Sequence, residues 1–241
     1  MIYLLRHGQT TSNVNRLLDT ALPGAPLTDL GREQAREAGK VLRAQVGTVF
    51  ASPALRAQET ASEFTGGGEF ITLEGVHEIQ AGDMEGLGDP RQADPTAAPA
   101  LKADPALKAD PASKAPTAAQ LSKARAALDP ASANIPGSMD PNPMRHLPYM
   151  SAIVAWLEGR EQEIPGGETR ESFLERFVPG VEKLADGDLL VTHGAAMRAF
   201  AGLACSTGPG IITDRRIMNC EWFTIDRTGP FGSWTLNWPR R

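Results

Sequence analysis

Two short apolar runs, each ending at a histidine followed by glycine, constrain this chain more than any other feature. Residues 1–5 lead into Arg6-His7-Gly8, and residues 188–191 lead into Thr192-His193-Gly194. Apolar runs of this length are typical of buried strands in a parallel sheet. Ligand sites in such sheets collect at the carboxyl ends of the strands. We therefore predict an α/β protein in which both histidines lie at one edge of the sheet.

The residues that follow the first run alternate between helix-like and strand-like patterns. Residues 28–45 have a polar start and the periodicity of an amphipathic helix. The predicted buried face of this helix consists of Leu30, Ala35, Ala38, Val41 and Leu42. Strands are predicted over residues 46–51 and 70–73, and a helix over residues 56–64. Because strands and helices alternate, the sheet is expected to be largely parallel.

The last third of the chain continues this pattern and then departs from it. A helix is predicted over residues 148–159, and the turn at residues 165–169 is predicted to lead into a helix that ends near residue 184, with Thr169 as a candidate cap. Residues 222–225 and 233–236 are strand-like without an intervening helix. They are expected to form an antiparallel edge, which mixed sheets allow.

Arg56 joins the two histidines as a candidate site residue. Residues 51–61 have the pattern of a strand end, a turn and a helix start, which would deliver Arg56 to the same sheet edge. Its planar guanidinium group can bind phosphate oxygens in a bidentate way. A lone histidine at a strand end is more often structural than catalytic. Two histidines accompanied by Arg6 and Arg56 favour phosphoryl transfer, in which one imidazole attacks phosphorus while the other groups stabilise the charge on its oxygens.

The chain resembles the histidine phosphatase superfamily, whose founding members are the cofactor-dependent phosphoglycerate mutases. The matching motifs occur in family order at residues 4–13, 52–61, 78–86, 165–176 and 191–198. The resemblance implies a three-layer α/β/α fold like that of phosphoglycerate mutase, with a mostly parallel central sheet and an antiparallel edge. It implies that His7 is the nucleophile, which becomes a phosphohistidine. It also implies that Arg6, Arg56 and His193 stabilise the oxyanion.

The resemblance further assigns two substrate-binding residues and a proton donor. Asn13, six residues after the nucleophile, matches a position where a side-chain amide donates to phosphate, and Gly194 is assigned to substrate binding with it. Glu78 matches the carboxyl group that resembles a general acid in relatives, and burial near a negative substrate is expected to raise its pKa. Glu85 is the rival candidate. The family usually has a large aromatic residue where Met84 stands, and its second glutamate is more often structural, so the resemblance favours Glu78.

The resemblance fails between about residues 88 and 148. This segment is rich in Ala, Asp and Pro, and residues 101–106 are repeated without change as residues 107–112. It is expected to be either a disordered tether or a set of short helical turns capped by Asp and started by Pro. Relatives carry a variable insertion here that covers the pocket. We therefore predict a single domain over residues 1–241, interrupted by an insertion at about residues 88–148.

Composition excludes several classes of partner. The net charge is −5 and there is no basic run, which argues against a nucleic-acid partner. No apolar stretch approaches the length that spans a bilayer, and the first residues lack the pattern of a signal peptide, so no membrane association and a cytoplasmic location are expected. The expected partner is a small phosphorylated substrate.

Cofactors and a metal ion are not expected. Cys205 and Cys220 are the only cysteines and form no disulfide framework, and the four histidines have no metal-ligand spacing. Three aromatic residues near the chain end, Trp222, Trp234 and Trp238, are compatible with a homodimer interface, although core packing is the favoured interpretation.

Three functions remain open at the level of sequence. The favoured one is a metal-independent phosphomonoester hydrolase acting on a small phosphorylated metabolite through a phosphohistidine, because the turn at residues 165–168 resembles the phosphatase members. The first alternative is a mutase-type phosphotransferase. The second alternative belongs to another class, a catalytically weak module that binds phosphate or another protein. A binding module needs the arginines but neither a nucleophile nor a proton donor.

Overall fold

A mixed sheet separates two layers of helices in the computed structural model, which describes residues 1–87, 148–206 and 215–238. The strands are β1 Ile2–Arg6, β2 Val49–Ala51, β3 Ile71–Thr72, β4 Leu189–Thr192, β5 Trp222–Asp226 and β6 Thr235–Asn237. The helices are α1 Thr11–Val14, α2 Asp29–Leu42, α3 Leu55–Thr65, α4 Pro148–Leu157, α5 Arg170–Glu182 and α6 Gly194–Ala204, with a 3-10 turn at Gly82–Met84. The strand order in the sheet is β3-β2-β4-β1-β5-β6.

The sheet has the predicted mixture of directions. Strands β3, β2, β4 and β1 are parallel, whereas β5 and β6 form an antiparallel edge beyond β1. Along β1, Ile2 and Leu4 pack into a core with α4, α5 and α6, whereas Tyr3 and Leu5 pack into a second core with α2 and α3. A strand that is buried on both faces must be apolar throughout, which explains the uninterrupted run at the start of the chain. The predicted α/β class and the three layers are therefore confirmed.

Most predicted element boundaries agree with the structure to within a few residues. The predicted helix after the turn at residues 165–169 is α5, and the Thr169 side chain accepts a hydrogen bond from the Ser172 backbone N–H at its start, as predicted. The predicted strand over residues 46–51 is shorter and begins at Val49. The insertion at about residues 88–148 lies outside the described residues apart from Pro148, which begins α4, so its role in the domain stays a prediction.

Helix α2 packs through small residues, and the prediction that Val41 lies on its buried face is wrong. Val41 is 59% exposed, whereas Gly31, Ala35, Gly39 and Leu42 form the buried stripe. A Cβ atom at Gly39 would overlap the backbone carbonyl group of Phe64 in α3. At this point the two helices therefore approach too closely for a larger side chain, and the apolar pattern alone does not show that a glycine makes the contact.

The three tryptophans near the chain end do not share one face. Trp222 packs beside Tyr3 in the second core, with ring centroids 5.9 Å apart, whereas Trp234 is buried beside Phe200 in the first core, with ring centroids 6.0 Å apart. Core packing is thus confirmed for Trp234, and a homodimer stays a prediction. Among the helices of the described ranges, none combines the length and hydropathy needed to cross a bilayer.

Replacing Gly39 with alanine is expected to destabilise the protein. An exposed helical Gly→Ala change normally stabilises, but here the added methyl group would strike the Phe64 carbonyl, which is backbone and cannot move alone. We expect a loss of about 1–3 kcal/mol in the free energy of unfolding, measured by urea denaturation. Gly68→Ala is the control, because its Cβ would meet Thr65 at an ordinary 3.4 Å. Equal stability of the two variants would contradict close packing of α2 on α3.

Candidate active site

The pairing of β1 with β4 brings the two predicted histidines together. Arg6 lies opposite Thr192 in the parallel register, so His7 and His193 follow the ends of neighbouring strands. Their ring centroids are 5.3 Å apart. His7 is 4% exposed, and His193 is fully buried. Both rings thus lie at the carboxyl edge of the sheet, shielded from bulk water.

His7 is held neutral in a single tautomer. Its Nδ1 lies 2.7 Å from the carbonyl oxygen of Gly8, and since a carbonyl only accepts hydrogen bonds, Nδ1 carries the proton. Burial lowers the pKa of His7 well below its usual value, and the charges of Arg56 and Arg6 lower the pKa further. The ring therefore keeps a lone pair on Nε2 at neutral pH, as an attacking nucleophile requires.

Arg6 and Arg56 supply buried positive charge beside His7. Arg6 donates from Nη1 to the carbonyl oxygen of Ile217 at 2.6 Å, but its Nε has no hydrogen-bond partner in the described part of the chain. The buried Nη1 of Arg56 also makes no hydrogen bond there, although it forms an ion pair with Asp19 Oδ1 at 3.7 Å. Burial lowers the pKa of Arg6 to about 10, so it remains charged at pH 7. Buried cationic donors without acceptors favour an anionic ligand.

His193 is oriented by two neighbours and is also neutral. Arg56 donates from Nε to His193 Nδ1 at 3.2 Å, so Nδ1 accepts and the ring proton is on Nε2. That nitrogen lies 2.8 Å from Ser52 Oγ, to which it donates. Burial lowers the pKa of His193 well below its usual value, with a further contribution from the charge of Arg56. The positive charge at this edge therefore belongs to the arginines.

The carboxyl group of Glu78 contacts the first turn of α6, the helix that begins directly after His193. Its Oε1 accepts hydrogen bonds from the backbone N–H groups of Ile79 at 3.0 Å and Ala196 at 2.7 Å, and its Oε2 accepts one from Ala195 at 3.2 Å. Burial raises the pKa of Glu78, while these hydrogen bonds and the charge of Arg56 act in the opposite direction. A buried carboxyl group with a raised pKa can hold a proton and release it to a nearby oxygen.

Asn13 and Gly194 complete the predicted set. The Asn13 side-chain oxygen accepts hydrogen bonds from the Thr10 backbone N–H at 3.2 Å and from Asn219 Nδ2 at 3.1 Å. The Nδ2 atom of Asn13 is therefore the side-chain atom that is available to donate. Gly194 begins α6, and a Cβ atom there would come within 3.1 Å of Arg6 Nε. Glycine therefore lets the start of this helix approach the guanidinium group.

Comparison with known families agrees with this geometry. A sequence model of the histidine phosphatase superfamily (branch 1) matches residues 2–138 and 147–237. The chain belongs to this superfamily. The resemblance seen in the sequence motifs is thereby confirmed.

Two curated relatives match only part of the length of this chain. The PE-PGRS family protein PE_PGRS11 of Mycobacterium tuberculosis is 40% identical over 91 residues, which are 36% of this chain and 16% of that protein. The 2,3-bisphosphoglycerate-dependent phosphoglycerate mutase of Methylorubrum extorquens (strain PA1) is 38% identical over 96 residues, which are 36% of this chain and 44% of that protein. The chain thus spans less than half the length of either relative.

Solved structures share the fold over nearly the whole chain. A mycobacterial glucosyl-3-phosphoglycerate phosphatase, solved as a complex with VO3, superposes with a TM-score of 0.61 at 23% identity, covering 98% of this chain and 97% of that one. A phosphoglycerate mutase from Thermus thermophilus superposes with a TM-score of 0.57 at 21% identity, covering 100% of this chain and 99% of that one. At these identities the likeness establishes the fold alone.

The two glutamates that are candidates for the role of proton donor have different surroundings. Glu85 accepts hydrogen bonds at Oε1 from the backbone N–H groups of Thr20, at 2.7 Å, and Ala21, at 3.0 Å, and its Oε2 accepts one from the Thr20 hydroxyl. These bonds hold the loop that contains Asp19. Glu78, by contrast, lies beside the histidine pair. The geometry therefore favours Glu78 as the proton donor.

Several residues around the site were given no role in the sequence analysis. Ser52 bonds His193, and Thr60 accepts a hydrogen bond from the Gly8 N–H at 3.0 Å while donating to the Arg56 carbonyl oxygen at 2.6 Å. Thr60 lies one helical turn after Arg56, a spacing that could have indicated a shared face. Within the described ranges, no group of three or more His, Cys, Asp or Glu side chains is arranged to hold a metal ion.

Removing the Arg56 charge is expected to raise the pKa of both histidines. A neighbouring cation disfavours the imidazolium form, so Arg56→Gln should bring protonation of His7 and His193 closer to neutral pH. Nitrogen-detected NMR of the histidine side chains across a pH series would measure this, with signals assigned from His→Gln variants. Arg32→Gln, which removes a charge paired with Glu59 and Glu63, is the control. Unchanged titration in Arg56→Gln would exclude the charge of Arg56 as a cause.

Proposed function

We propose that this histidine phosphatase is a metal-independent phosphomonoester hydrolase that acts on a small phosphorylated metabolite through a phosphohistidine intermediate. One observation carries the proposal. Arg6 Nε and Arg56 Nη1, which donate no hydrogen bond within the described ranges, lie beside His7, whose neutral ring keeps a lone pair on Nε2. This arrangement joins a site for an anion to a nucleophile. Phosphoryl transfer depends mainly on such positioning and charge stabilisation.

In the first step, His7 Nε2 attacks phosphorus and the bond between phosphorus and the ester oxygen breaks. The negative charge of the transferring group is stabilised by the guanidinium groups of Arg6 and Arg56, with Asn13 as a further donor. Glu78 transfers its proton to the leaving oxygen, so that an alcohol departs. Binding of an anionic phosphate favours the protonated form of Glu78, which adds to the effect of burial on its pKa.

In the second step, a water molecule attacks phosphorus and the bond to His7 Nε2 breaks. Glu78, now ionised, accepts the proton from this water. Inorganic phosphate leaves, and His7 returns to its neutral tautomer, in which Nδ1 donates to the Gly8 carbonyl. The carboxyl group thus serves as acid and then as base, as a hydrolase requires.

The substrate proposal follows the structural neighbours. The structural neighbour described as a glucosyl-3-phosphoglycerate phosphatase supports a phosphorylated metabolite as the substrate. A mutase is the second candidate, because a curated relative with 38% identity over 96 residues is a phosphoglycerate mutase. Incubation with 3-phosphoglycerate and 2,3-bisphosphoglycerate separates the two, since a mutase forms 2-phosphoglycerate and a hydrolase releases phosphate. A cytoplasmic location, a homodimer and the lack of a nucleic-acid partner remain part of the proposal.

Replacing His7 with alanine is expected to abolish hydrolysis. The variant lacks the attacking nitrogen, so steady-state turnover of p-nitrophenyl phosphate in the presence of a chelator should fall by at least about 10³-fold, while the thermal unfolding curve stays cooperative. Wild-type protein quenched in alkali during turnover should carry a phosphohistidine that the variant lacks. Turnover that persists in the variant would remove His7 from the mechanism. If the wild type binds phosphate but hydrolyses no ester, the protein is a mutase or a binding module, and formation of 2-phosphoglycerate from 3-phosphoglycerate and 2,3-bisphosphoglycerate separates these two.

Replacing Glu78 with glutamine is expected to slow hydrolysis in a way that depends on the leaving group. The amide cannot supply a proton, so kcat/KM for phenyl phosphate should fall on the order of 10²-fold. The loss for p-nitrophenyl phosphate should be much smaller, because p-nitrophenolate leaves without protonation. Glu85→Gln is the control and should not change the ratio of the two rates. Equal losses for both esters in Glu78→Gln would contradict its assignment as the proton donor.

A further inference from the structure

Arg176, on α5, has every one of its guanidinium hydrogens in a hydrogen bond. Its Nη1 donates to the carbonyl oxygens of Gly75 at 2.7 Å and His77 at 2.9 Å, and its Nη2 donates to the carbonyl oxygen of Glu78 at 3.0 Å. Its Nε and Nη2 also donate to the two carboxylate oxygens of Glu168, each at 2.6 Å. A guanidinium group has five N–H donors, and all five are used. No donor of Arg176 is therefore left for substrate.

The three carbonyl groups belong to the segment that carries the proton donor. Because they converge on one planar group, the backbone from Gly75 to Glu78 is fixed relative to α5. Gly75 has φ of +86°, and a Cβ atom there would lie 2.6 Å from the Arg176 carbonyl oxygen, so the segment also approaches the helix closely. A bidentate pair with a carboxylate fixes the plane of the guanidinium group itself.

Glu168 extends this contact to the other side of Glu78. Its backbone N–H donates to the Gln80 carbonyl oxygen at 3.1 Å, and its Oε2 accepts from the Gln80 N–H at 3.3 Å. The Arg176 and Glu168 side chains are 17% and 6% exposed, so the pair is mostly shielded from water. The backbone is thus held on both sides of Glu78, while the carboxyl group of Glu78 points to the first turn of α6.

The geometry points to Arg176 and Glu168 as positioning residues for the proton donor. Neither side chain bonds the Glu78 carboxyl group; Arg176 reaches this residue only through its backbone carbonyl. Proton transfer requires the carboxyl group within hydrogen-bond distance of the leaving oxygen, and a displacement of about 1 Å can cost on the order of 10²-fold in rate. The inference rests on the proposed function, because it assigns a task to the segment that holds Glu78.

A purely structural ion pair would behave differently from a positioning pair. Loss of a structural contact lowers stability or the amount of active protein, so every ester is affected to the same degree. Loss of a positioning contact impairs proton donation, so esters with poor leaving groups are affected most. The dependence of kcat/KM on the leaving group therefore separates the two roles.

The test compares Arg176→Lys and Glu168→Gln with a matched control in a series of ring-substituted phenyl phosphates. Lysine keeps the charge but cannot contact three carbonyls and both carboxylate oxygens at once. Arg227→Lys is the control, because Arg227 is 19% exposed, donates to the carbonyl oxygens of Val181 and Leu184, and pairs with Asp186 away from the histidine pair. Cooperative unfolding of each variant is checked before the rates are compared.

We expect kcat/KM for phenyl phosphate to fall about 10-fold in Arg176→Lys and in Glu168→Gln, with a loss below about 3-fold for p-nitrophenyl phosphate. Arg227→Lys should leave the ratio of the two rates unchanged. Adding Arg176→Lys to Glu78→Gln should not change the ratio further, because the two changes affect the same proton transfer. A steeper dependence on the leaving group in either single variant, absent from the control, supports the inference.

Losses that are equal across the esters, or a change of ratio in Arg227→Lys as large as in Arg176→Lys, would overturn the inference. If Arg176→Lys does not fold, the isosteric Glu168→Gln variant decides by the same ratio. Failure of the proposed function gives a different result. In that case the wild type shows no turnover, or its turnover survives in His7→Ala. Wild-type turnover that depends on His7, with an unchanged ratio in the Arg176 and Glu168 variants, rejects the positioning role alone.

Discussion

The properties of the candidate site follow from the burial of two guanidinium groups beside a pair of neutral histidines. Each cation disfavours the charged form of the histidines, and Arg56 also bonds His193 directly. Buried cationic donors that lack hydrogen-bond acceptors in the described ranges cost free energy, and the two apolar cores that flank the sheet must offset this cost. A bound phosphate group would relieve the same imbalance. In the proposed function, affinity for an anion and the nucleophilic role of His7 thus have one electrostatic origin.

Both layers of helices contribute to holding the site. From α3, Thr60 links the Gly8 N–H to the Arg56 carbonyl oxygen, which connects the loop after His7 to Arg56. From the opposite layer, the first turn of α6 holds the Glu78 carboxyl group and α5 supplies Arg176. The sheet between them sets the separation of the histidines through the register of β1 and β4. Glu78 and His7, the proposed acid and nucleophile, are therefore positioned by different layers around a common sheet edge.

Much of this architecture could be predicted because it depends on local pattern. Apolar runs that end at His7 and His193 indicate parallel strands. Arg56 also follows the end of a strand, so its place at the same sheet edge could be predicted in the same way. Other features escaped the sequence analysis. Val41 is exposed, whereas Gly39 makes the close contact of α2 with α3. His77, to which the sequence analysis gave no role, is half-buried, and its Nδ1 is enclosed and without a hydrogen-bond partner among the described residues.

The chemical groups at the strand ends can be identified from the sequence, because strands, turns and helix starts are encoded within a few neighbouring residues. The protonation, the orientation and the distances of these groups become apparent in the folded molecule. Those properties depend on burial and on contacts between residues far apart in the chain, such as Ser52 with His193 and Arg176 with the carbonyl of Glu78. Desolvation and hydrogen-bond geometry are properties of the packed molecule, and no local pattern of residues specifies them.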